Sequence, residues 1–219
     1  MIIIRGKKVL ISLGGTFEPI DSVRGITNKS SGKMGLALAK QAYILGADVT
    51  LIVANVSVEI SRLFNVIHVQ TSKQMADVIF DIVGDYDIFI STAAVSDFEV
   101  VERKNKKIDS DSSLSISLKP TIKIIRQIKK INPSIFLVGF KAEFNITRDE
   151  IIYCARKQIS DAGTDIVVAN DVSHKDCDFG SDKNEVLIID SDVLSVPLAS
   201  KDEIAKTIMD VISKKLSCR

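Results

Sequence analysis

Residues 9–16 read VLISLGGT, a short apolar run that ends in two glycines and a threonine. Strands buried on both faces of a parallel sheet are apolar throughout, whereas half-exposed strands alternate apolar and polar residues. We therefore predict that Val9–Leu13 is a central strand of a parallel sheet. Six further short runs are predicted as strands: Val49–Ala54, Val66–Gln70, Asp87–Thr92, Ile135–Phe140, Asp165–Ala169 and Val186–Asp190.

Helical stretches separate these strands. Ser31–Leu45 carries apolar residues on one face and is followed by Gly46, a common stop signal. Ser72–Val83 is a second predicted helix. Capping boxes predict two further helix starts, at Thr147–Glu150 and at Ser200–Glu203. The alternation of strands and helices predicts an α/β fold with a mostly parallel sheet and helices on both faces.

Two long connections interrupt this rhythm. Phe17–Ser30 follows the first strand and is rich in polar residues, and Phe98–Pro120 contains the basic run Arg103–Lys107. The alternating run Leu114–Leu118 predicts a strand on a sheet edge or in a small protruding ribbon. We call residues 98–120 the flap. Long irregular connections inside a compact domain are usually functional or disordered.

The composition excludes several classes of partner. The chain has 219 residues and a mass of 24.0 kDa, which predicts one domain over residues 1–219. Lys plus Arg number 29 and Asp plus Glu number 28, so the formal net charge is +1. This balance does not favour nucleic acid or a membrane surface. An anionic ligand must therefore be held by local charge.

No part of the sequence indicates export or membrane insertion. The N-terminal run Met1–Arg5 is too short for a signal peptide, and no apolar run approaches the roughly 18 residues of a membrane span. The three cysteines have unrelated spacings, which predicts neither a disulfide framework nor a zinc site. We expect a cytoplasmic protein.

Chemically useful residues follow the ends of several predicted strands. In an open parallel sheet, ligands bind outside the carboxyl ends of the strands. Asp97, Glu143 and Asp171 at these ends can hold a ribose or a metal, or can simply cap loops. The clusters at the strand ends are Gly14–Thr16, Thr92–Asp97, Gly139–Glu143 and Ala169–Asp171.

Gly14, Gly15 and Thr16 have two interpretations. Backbone N–H groups of glycines can approach an anion closely, and Thr16 adds a hydroxyl donor. A glycine pair at a strand end is otherwise only a tight turn. The G-x-G-x-x-G fingerprint is missing, and the second strand ends in Ala54-Asn55 without an acidic residue, so a nicotinamide cofactor is disfavoured.

The segment Asn28–Gly35 leads into the first predicted helix. A helix N-terminus offers unpaired N–H groups, so Ser30, Ser31 and Gly32 could hold a phosphate or a carboxylate. Alternatively, one of the serines is only an N-cap. Arg24 and Asn28 just upstream suit recognition of an oxyanion. On the flap, Lys104 and its neighbours are either a solvated face or cations that a mobile loop brings to phosphates.

Taken in order, these segments resemble the phosphopantothenate–cysteine ligase family. The most specific stretch is residues 14–35, GGTFEPIDSVRGITNKSSGKMG. The resemblance implies a Rossmann-like three-layer fold, a homodimer and a step of coenzyme A biosynthesis. In that step 4′-phosphopantothenate is joined to L-cysteine at the expense of CTP, or of ATP, with Mg²⁺. Supporting matches are Ala93–Asp97, Lys104–Lys107, Lys119–Thr121, Val138–Phe140, Ala169–Asp171 and Phe179–Asn184.

The resemblance also implies roles for individual residues. Asn28 would steady the acyl phosphate while cysteine attacks, Arg24 would lie near the same centre, and Lys104 would reach the nucleotide phosphates. Gly14, Gly15 and Thr16 would cradle phosphates. Ser30, Ser31 and Gly32 would face the anion on the pantothenate side. The nucleotide pocket would further include Ala93, Ala94, Asp97, Pro120, Thr121 and Phe140.

The sequence departs from the family pattern at one helix. Many bacterial members carry two lysines four residues apart before the strand that ends in Ala169-Asn170-Asp171, and here those positions are Gln158 and Ala162. The choice of CTP over ATP is therefore open. Bacterial members are often fused to a decarboxylase, so we expect a monofunctional ligase or an excised domain. An NAD(P)-dependent oxidoreductase and a non-catalytic nucleotide-binding subunit are the alternatives.

Overall fold

A single eight-stranded sheet forms the centre of the computed structural model, which describes residues 3–111, 113–174, 177 and 180–218. The strands are β1 (Lys8–Leu13), β2 (Phe17–Pro19), β3 (Gly25–Thr27), β4 (Asp48–Val53), β5 (Asn65–His68), β6 (Ile88–Ser91), β7 (Phe98–Val100), β8 (Leu118–Pro120), β9 (Phe136–Glu143), β10 (Ile166–Asp171), β11 (Lys183–Ile189) and β12 (Val193–Ser200). The helices are α1 (Lys33–Ile44), α2 (Ser72–Ile82), α3 (Ile125–Ile131), α4 (Arg148–Ala162) and α5 (Lys201–Ser217), with a short 3₁₀ turn at Val83–Asp85.

The strand order of the main sheet is β12-β11-β10-β9-β6-β1-β4-β5. The pairs from β5 to β10 are parallel, and β11 and β12 are antiparallel additions at one edge. From β1 the chain runs outward to β4 and β5 on one side, and then from β6 outward on the other. This reversal leaves a crevice at the carboxyl ends of β1 and β6, where ligands bind in such folds. The predicted α/β, Rossmann-like fold is confirmed.

Helices cover both faces of the sheet. Side chains alternate along a strand, so Val9 and Ile11 of β1 face α1 and α5, whereas Leu10 faces α2 and α3. Helix α4 packs over β10 and β11 through Ile151 and Ala155. Burial on both faces explains why the central strands are apolar throughout.

The helix boundaries follow local signals. Both predicted capping boxes, Thr147–Glu150 and Ser200–Glu203, are present, and Thr71–Gln74 forms a third. Helix α1 ends where Gly46 takes φ 85°, and the N–H groups of Gly46 and Ala47 donate to the carbonyls of Tyr43 and Ala42. The predicted serine N-cap of α1 is wrong, because Gly32 occupies that position without a side-chain cap.

The flap contains less regular structure than predicted. Its two short strands, β7 and β8, pair antiparallel in register from Phe98 with Pro120 to Val100 with Leu118. The predicted strand at residues 114–118 is thus shifted towards β8. The loop between β7 and β8 lies against the hairpin of β2 and β3, where the Lys104 N–H donates to the Ile20 carbonyl at 2.9 Å.

None of the helices in the described ranges combines the length and the apolarity that crossing a membrane requires.

Candidate active site

Two cavities open at the carboxyl edge of the sheet and share one wall. The first, about 510 Å³, lies at the N-terminus of α1, and we call it the α1 cavity. The second, about 440 Å³, lies between α3 and α4 on the opposite face, and we call it the α4 cavity. The wall that they share consists of Ala93, Val95, Phe140 and Lys141. Two ligands can therefore meet at the ends of β6 and β9.

The entrance to α1 forms one side of the α1 cavity. Ser30, Ser31 and Gly32 line it, as predicted for residues that hold an anion. Gly32 has φ 78° and a Cβ there would lie 2.5 Å from Val56 Cγ1, so glycine is required. Gly35 similarly lets α1 approach the end of β1. The Lys33 N–H donates to Ser31 Oγ at 3.4 Å, and because the N-cap Gly32 has no side chain, the N–H groups of Met34 and Gly35 can bind an anion.

Lysines dominate the charge of the α1 cavity. Among its described lining residues are Lys29, Lys33, Lys141 and Lys201, and no Asp or Glu. Two of these lysines are paired with acidic residues outside the lining set: Lys33 Nζ lies 2.7 Å from Asp182 Oδ1, and Lys141 Nζ lies 3.0 Å from Glu143 Oε1. The chain as a whole is nearly neutral, so this cavity concentrates positive charge where an anionic ligand would bind.

Asn28 joins two loops at the edge of the α1 cavity. Its side-chain Nδ2 donates to the carbonyls of Val95 at 3.2 Å and Ala94 at 3.5 Å. These contacts hold the amide beside the wall that the two cavities share. Asn28 is thus the one member of the predicted catalytic set that lines a cavity in the described part of the chain.

Gly15 and Thr16 join the end of β1 to the neighbouring loops. The N–H of Gly15 donates to the Asn55 carbonyl at 2.9 Å, and the N–H of Thr16 donates to the Ala94 carbonyl at 3.2 Å. The buried Thr16 hydroxyl accepts from the Ser96 N–H. The N–H groups of Gly15 and Thr16 would have to leave these carbonyls to bind a phosphate, so the phosphate cradle stays a prediction.

The α4 cavity contains four of the nine residues that were predicted to bind the nucleotide. Ala93, Asp97, Thr121 and Phe140 line it, whereas Ala94 lines the α1 cavity. Pro120 is absent from the described lining of both cavities. The Thr121 hydroxyl donates to the Ser96 carbonyl at 2.6 Å and fixes the loop after β6 against the end of the flap.

Charged side chains in the α4 cavity are largely paired. Asp97 contacts Lys123, and Asp161 accepts from Arg126 at 2.6 Å. Its lining has four basic residues, Lys123, Arg126, Lys141 and Lys157, against two acidic ones, so its excess of positive charge is smaller than that of the α1 cavity. The two cavities differ in electrostatic character, which suits them to different parts of a reacting pair.

Gln158 leaves a polar atom unsatisfied in the wall of the α4 cavity. Its Nε2 is buried and has no hydrogen-bond partner in the described chain. A Cβ on Gly139 would lie 2.0 Å from that nitrogen, so the glycine makes room for the amide. Buried polar groups are normally paired, and an unpaired one calls for an explanation. Gln158 and Ala162, where the family pattern is broken, both line this cavity.

Arg24 and Lys104 lie away from both cavities. Arg24 Nη2 donates to the Ile108 carbonyl at 2.8 Å, and Lys104 Nζ contacts Glu102 at 3.2 Å. Neither residue appears among the described residues that line the two cavities. The structure thus does not bring them together with Asn28, and in this conformation Arg24 ties the flap to the β2–β3 hairpin.

Asp21 accepts hydrogen bonds from both the flap and the β2–β3 hairpin. Its fully buried carboxylate accepts from the N–H groups of Ile108 at 3.1 Å and of Val23 and Arg24 at 2.7 Å. The bond from Ile108, with the others, lowers the pKa of this carboxyl from its ordinary 3.8. Sequence analysis did not single out Asp21, because its partner on the flap is 87 residues away.

Asp171 has the capping role that was one of its two interpretations. It accepts from the N–H groups of Asn145, Ile146 and Ser173. Burial alone would raise its pKa, but the hydrogen bonds from Ser173, Asn145 and Ile146 outweigh burial and lower the pKa to about 2. These bonds fix the turn before α4, where Asn145 has φ 55°.

The comparisons with known proteins agree with this geometry. Residues 4–216 match the family described as the DNA/pantothenate metabolism flavoprotein C-terminal domain. The chain belongs to this family. Membership confirms the resemblance identified from residues 14–35 and the strand-end motifs.

Relatives of this family member include proteins of coenzyme A biosynthesis. The bifunctional protein CoaBC of Thermococcus kodakarensis is 44% identical over 216 residues, which are 97% of this chain and 52% of that protein. The chain thus spans about half the length of the curated relatives it matches.

Two solved structures share the fold over nearly the whole chain. The DNA/pantothenate metabolism flavoprotein of Streptococcus pneumoniae has a TM-score of 0.85 and 27% identity, covering 96% of this chain and 100% of that one. The C-terminal domain of a CoaBC protein has a TM-score of 0.84 and 28% identity, covering 100% of both chains.

Proposed function

We propose that this domain is a phosphopantothenate–cysteine ligase of coenzyme A biosynthesis. One observation carries the proposal: two cavities of different electrostatic character meet at the wall of Ala93, Val95, Phe140 and Lys141. A ligase that activates a carboxylate needs this arrangement, because its nucleotide and its acid must meet. The names of the CoaBC relatives support the pathway.

The reaction has two balanced steps. A carboxylate oxygen of 4′-phosphopantothenate attacks the α-phosphorus of the nucleotide, a P–O bond forms, and the bond to the leaving pyrophosphate breaks. The amine of L-cysteine then attacks the acyl carbon, a C–N bond forms, and the nucleoside monophosphate leaves as the amine loses a proton. Neither step needs a covalent enzyme intermediate, so positioning and charge stabilisation carry the catalysis.

The geometry suggests which cavity takes which substrate. We place the nucleotide in the α4 cavity, against Asp97, Thr121 and Phe140, with its α-phosphate at the shared wall. The acyl substrate then occupies the α1 cavity beside the N-terminus of α1. Asn28, held at the edge of that cavity, can donate its amide to the acyl phosphate when the carbonyls of Ala94 and Val95 give way.

Mg²⁺ enters with the nucleotide. Mg²⁺ at nucleotides is bound by phosphates, waters and one or two carboxylates, and Asp97 is a carboxylate of the α4 cavity. No group of three or more His, Cys, Asp or Glu side chains suited to a metal occurs among the residues described. The nucleotide phosphates would therefore supply most of the ligands.

Lys104 requires a change of flap position to act on the nucleotide. It lies on an exposed loop between β7 and β8, and such loops often close over phosphates. The flap also exposes Val101, Leu114 and Leu118, which supports a homodimer that covers them. We place the protein in the cytoplasm, with phosphopantothenate and cysteine as its small-molecule partners.

CTP is the favoured nucleotide, and an ATP-dependent ligase is the second candidate. The unpaired Gln158 amide in the α4 cavity could distinguish the base of CTP from that of ATP by hydrogen bonding, since an amide can both donate and accept. This residue replaces the lysine of many bacterial members, which keeps the ATP candidate open.

The direct test measures pyrophosphate release with phosphopantothenate and CTP or ATP, each with Mg²⁺, first without cysteine and then with it. We expect release that depends on phosphopantothenate, and amide product only when cysteine is added. NAD serves as a control in thermal-shift binding. Binding of NAD alone, without any pyrophosphate release, would overturn the proposal in favour of an oxidoreductase.

A further inference from the structure

The wall that the two cavities share contains, among the described residues, a single charged side chain, that of Lys141. The other three members of this wall, Ala93, Val95 and Phe140, are apolar. Every other described cation in the two linings borders one cavity and not the other. An ammonium group at this place can therefore act on a phosphate that lies between a ligand in one cavity and a ligand in the other.

Strand β9 sets the direction of the Lys141 side chain. Side chains alternate along a strand, so Lys141 points to the same face as Gly139 and Glu143. At Gly139 that face meets Gln158 of α4. Lys141 itself lies opposite Ala169 of β10, and 39% of its side chain is exposed. The lysine thus stands at the carboxyl rim of the sheet, on the side of the α4 cavity.

A carboxylate already contacts this lysine in the ligand-free chain. Lys141 Nζ lies 3.0 Å from Glu143 Oε1, and 27% of the Glu143 side chain is exposed. Ion pairs that water reaches contribute little to stability, because solvent screens them and both side chains lose conformational freedom. The ammonium group can therefore turn from Glu143 to a phosphate, or bridge the two, without a large cost. Until then, Glu143 holds it beside the wall.

Both proposed half-reactions place negative charge on the same phosphate. As the carboxylate attacks, the oxygens of the five-coordinate α-phosphorus gain charge, and when the acyl–oxygen bond breaks, the departing nucleoside monophosphate gains charge again. A positive group that is in place before the reaction stabilises such charge most effectively. Arg24 and Lys104 are not among the described residues that line the two cavities, so another cation is needed at the wall.

We propose that Lys141 binds the α-phosphate of the nucleotide and stabilises it in both half-reactions. The inference rests on the proposed function and deepens it by assigning a catalytic residue. Lys141 keeps its proton throughout and donates hydrogen bonds to the phosphate oxygens, while the bonds at phosphorus and at the acyl carbon form and break as described above. Asn28 acts from the α1 cavity and Lys141 from the α4 cavity, so the two donors flank the acyl phosphate.

The test follows each half-reaction separately in Lys141→Met. Single-turnover pyrophosphate release without cysteine gives the first rate, and amide formation after cysteine is added to the preformed acyl nucleotide gives the second. We expect both rates to fall about 100-fold, as when one donor is removed from an oxyanion site. The nucleotide KM should change less than about 3-fold, because the contact strengthens mainly in the transition state. Lys141→Arg keeps the charge and should bring both rates to within about 10-fold of wild type.

Two further variants separate the charge of Lys141 from its ion pair. Glu143→Gln breaks the same ion pair and leaves the ammonium group in place, so its losses should be far smaller than those of Lys141→Met. The matched control is Lys73→Met, which removes a lysine from an exposed ion pair with Asp77 on α2 and should change neither rate.

Each outcome decides on the role of Lys141. Unchanged rates in Lys141→Met, a rise in nucleotide KM without a fall in either rate, or equal losses in Lys141→Met and Glu143→Gln would overturn this role and leave the proposed function standing. Wild-type protein that releases no pyrophosphate with CTP or with ATP would contradict the proposed function, and the role of Lys141 with it.

Discussion

Asn28 is the residue on which the second half-reaction depends in this account. Its amide bridges to the carbonyls of Ala94 and Val95 and is held beside the shared wall of the two cavities. Only a donor at this place can stabilise negative charge as the acyl carbon is attacked. A carboxylate of the same size keeps the shape and loses the donor.

We therefore predict that Asn28→Asp releases pyrophosphate and does not form the amide. The acyl nucleotide should accumulate, which chromatography of quenched reactions measures, and the rate of the second step should fall about 100-fold or more. Asn28→Gln is a companion variant that keeps the donor and shifts it. Rapid amide formation by Asn28→Asp would remove Asn28 from the mechanism.

A second prediction concerns the addition of a single Cβ atom at Gly139. A Cβ at this position would lie 2.0 Å from Gln158 Nε2 and 3.1 Å from Ile125 Cδ1, so Gly139→Ala must push the amide into the α4 cavity. We expect a loss of about 1–3 kcal/mol in the free energy of unfolding and a several-fold rise in KM for the nucleotide. Chemical denaturation and steady-state kinetics measure the two effects.

The control for this substitution is Gly84→Ala, where a Cβ meets no atom within 4 Å. It should leave the nucleotide KM unchanged. An unaltered KM in Gly139→Ala would show that Gln158 lies outside the nucleotide site.

At the scale of elements, three hydrogen bonds among the described residues join the flap to the β2–β3 hairpin, and the buried carboxylate of Asp21 accepts one of them. Asp21 accepts from the Ile108 N–H on the flap, and Arg24 donates to the Ile108 carbonyl in return. The loop of residues 101–107 is exposed, so its attachment depends on few contacts. The position of Lys104 depends on the same contacts, because Lys104 is part of that loop.

We predict that Asp21→Asn detaches the flap loop. An amide replaces one acceptor oxygen with a donor, which faces N–H groups that also donate. Trypsin should cleave at Arg103–Lys107 several-fold faster, as followed by mass spectrometry, and the first half-reaction should slow. Asp109→Asn, an exposed flap residue, is the control. Unchanged cleavage in Asp21→Asn would show that other contacts hold the flap.

The turn before α4 responds to acid through Asp171. Because its pKa is lowered from 3.8 to about 2, its stabilising contribution is complete above pH 4 and is lost as the pH falls towards 2. The shift corresponds to about 2 kcal/mol. Asp171→Asn should therefore be less stable than wild type at pH 7, and the difference should shrink between pH 4 and pH 2.

Denaturation curves at several pH values measure this difference. The exposed Asp210→Asn on α5 is the control. A difference that stays constant from pH 7 to pH 2 would show that the charge of Asp171 contributes no stability.

The elements that could be predicted from the sequence differ in burial and in length from those that could not. Strands such as β1 and β4 were predictable because burial on both faces makes them apolar. Strand β12 was missed because it is an edge strand in which only Val196 is buried and which contains Pro197. Helix α3 was missed because it has only 7 residues and no side-chain cap.

The same contrast holds for the candidate site. Asn28 and Ser30–Gly32 were predictable because one continuous segment carries them into a helix start. Lys201 was missed because a lysine beside a capping box is typical of a solvated surface, whereas its ammonium group donates to the Ser181 carbonyl, about twenty residues earlier in the chain. The bonds from the Gly15 and Thr16 N–H groups to the carbonyls of Asn55 and Ala94 could not be predicted, because these partners are distant in sequence.

At the scale of the whole molecule, the strand order places both cavities at one crevice. The reversal of direction at β1 and β6 opens the sheet edge between helices of opposite faces, with the cationic α1 cavity on one face and the charge-paired α4 cavity on the other. The central claim is that an acid from one face and a nucleotide from the other react at the wall between them.

A crystal structure of Asn28→Asp with phosphopantothenate, Mg²⁺ and CTP or ATP tests this claim most directly. We predict a trapped acyl nucleotide whose base and ribose contact Asp97 and Thr121. Its acyl chain should lie in the α1 cavity, and its acyl phosphate should lie beside Phe140 at the wall that the two cavities share. An acyl nucleotide confined to one cavity, or bound away from both, would contradict the account.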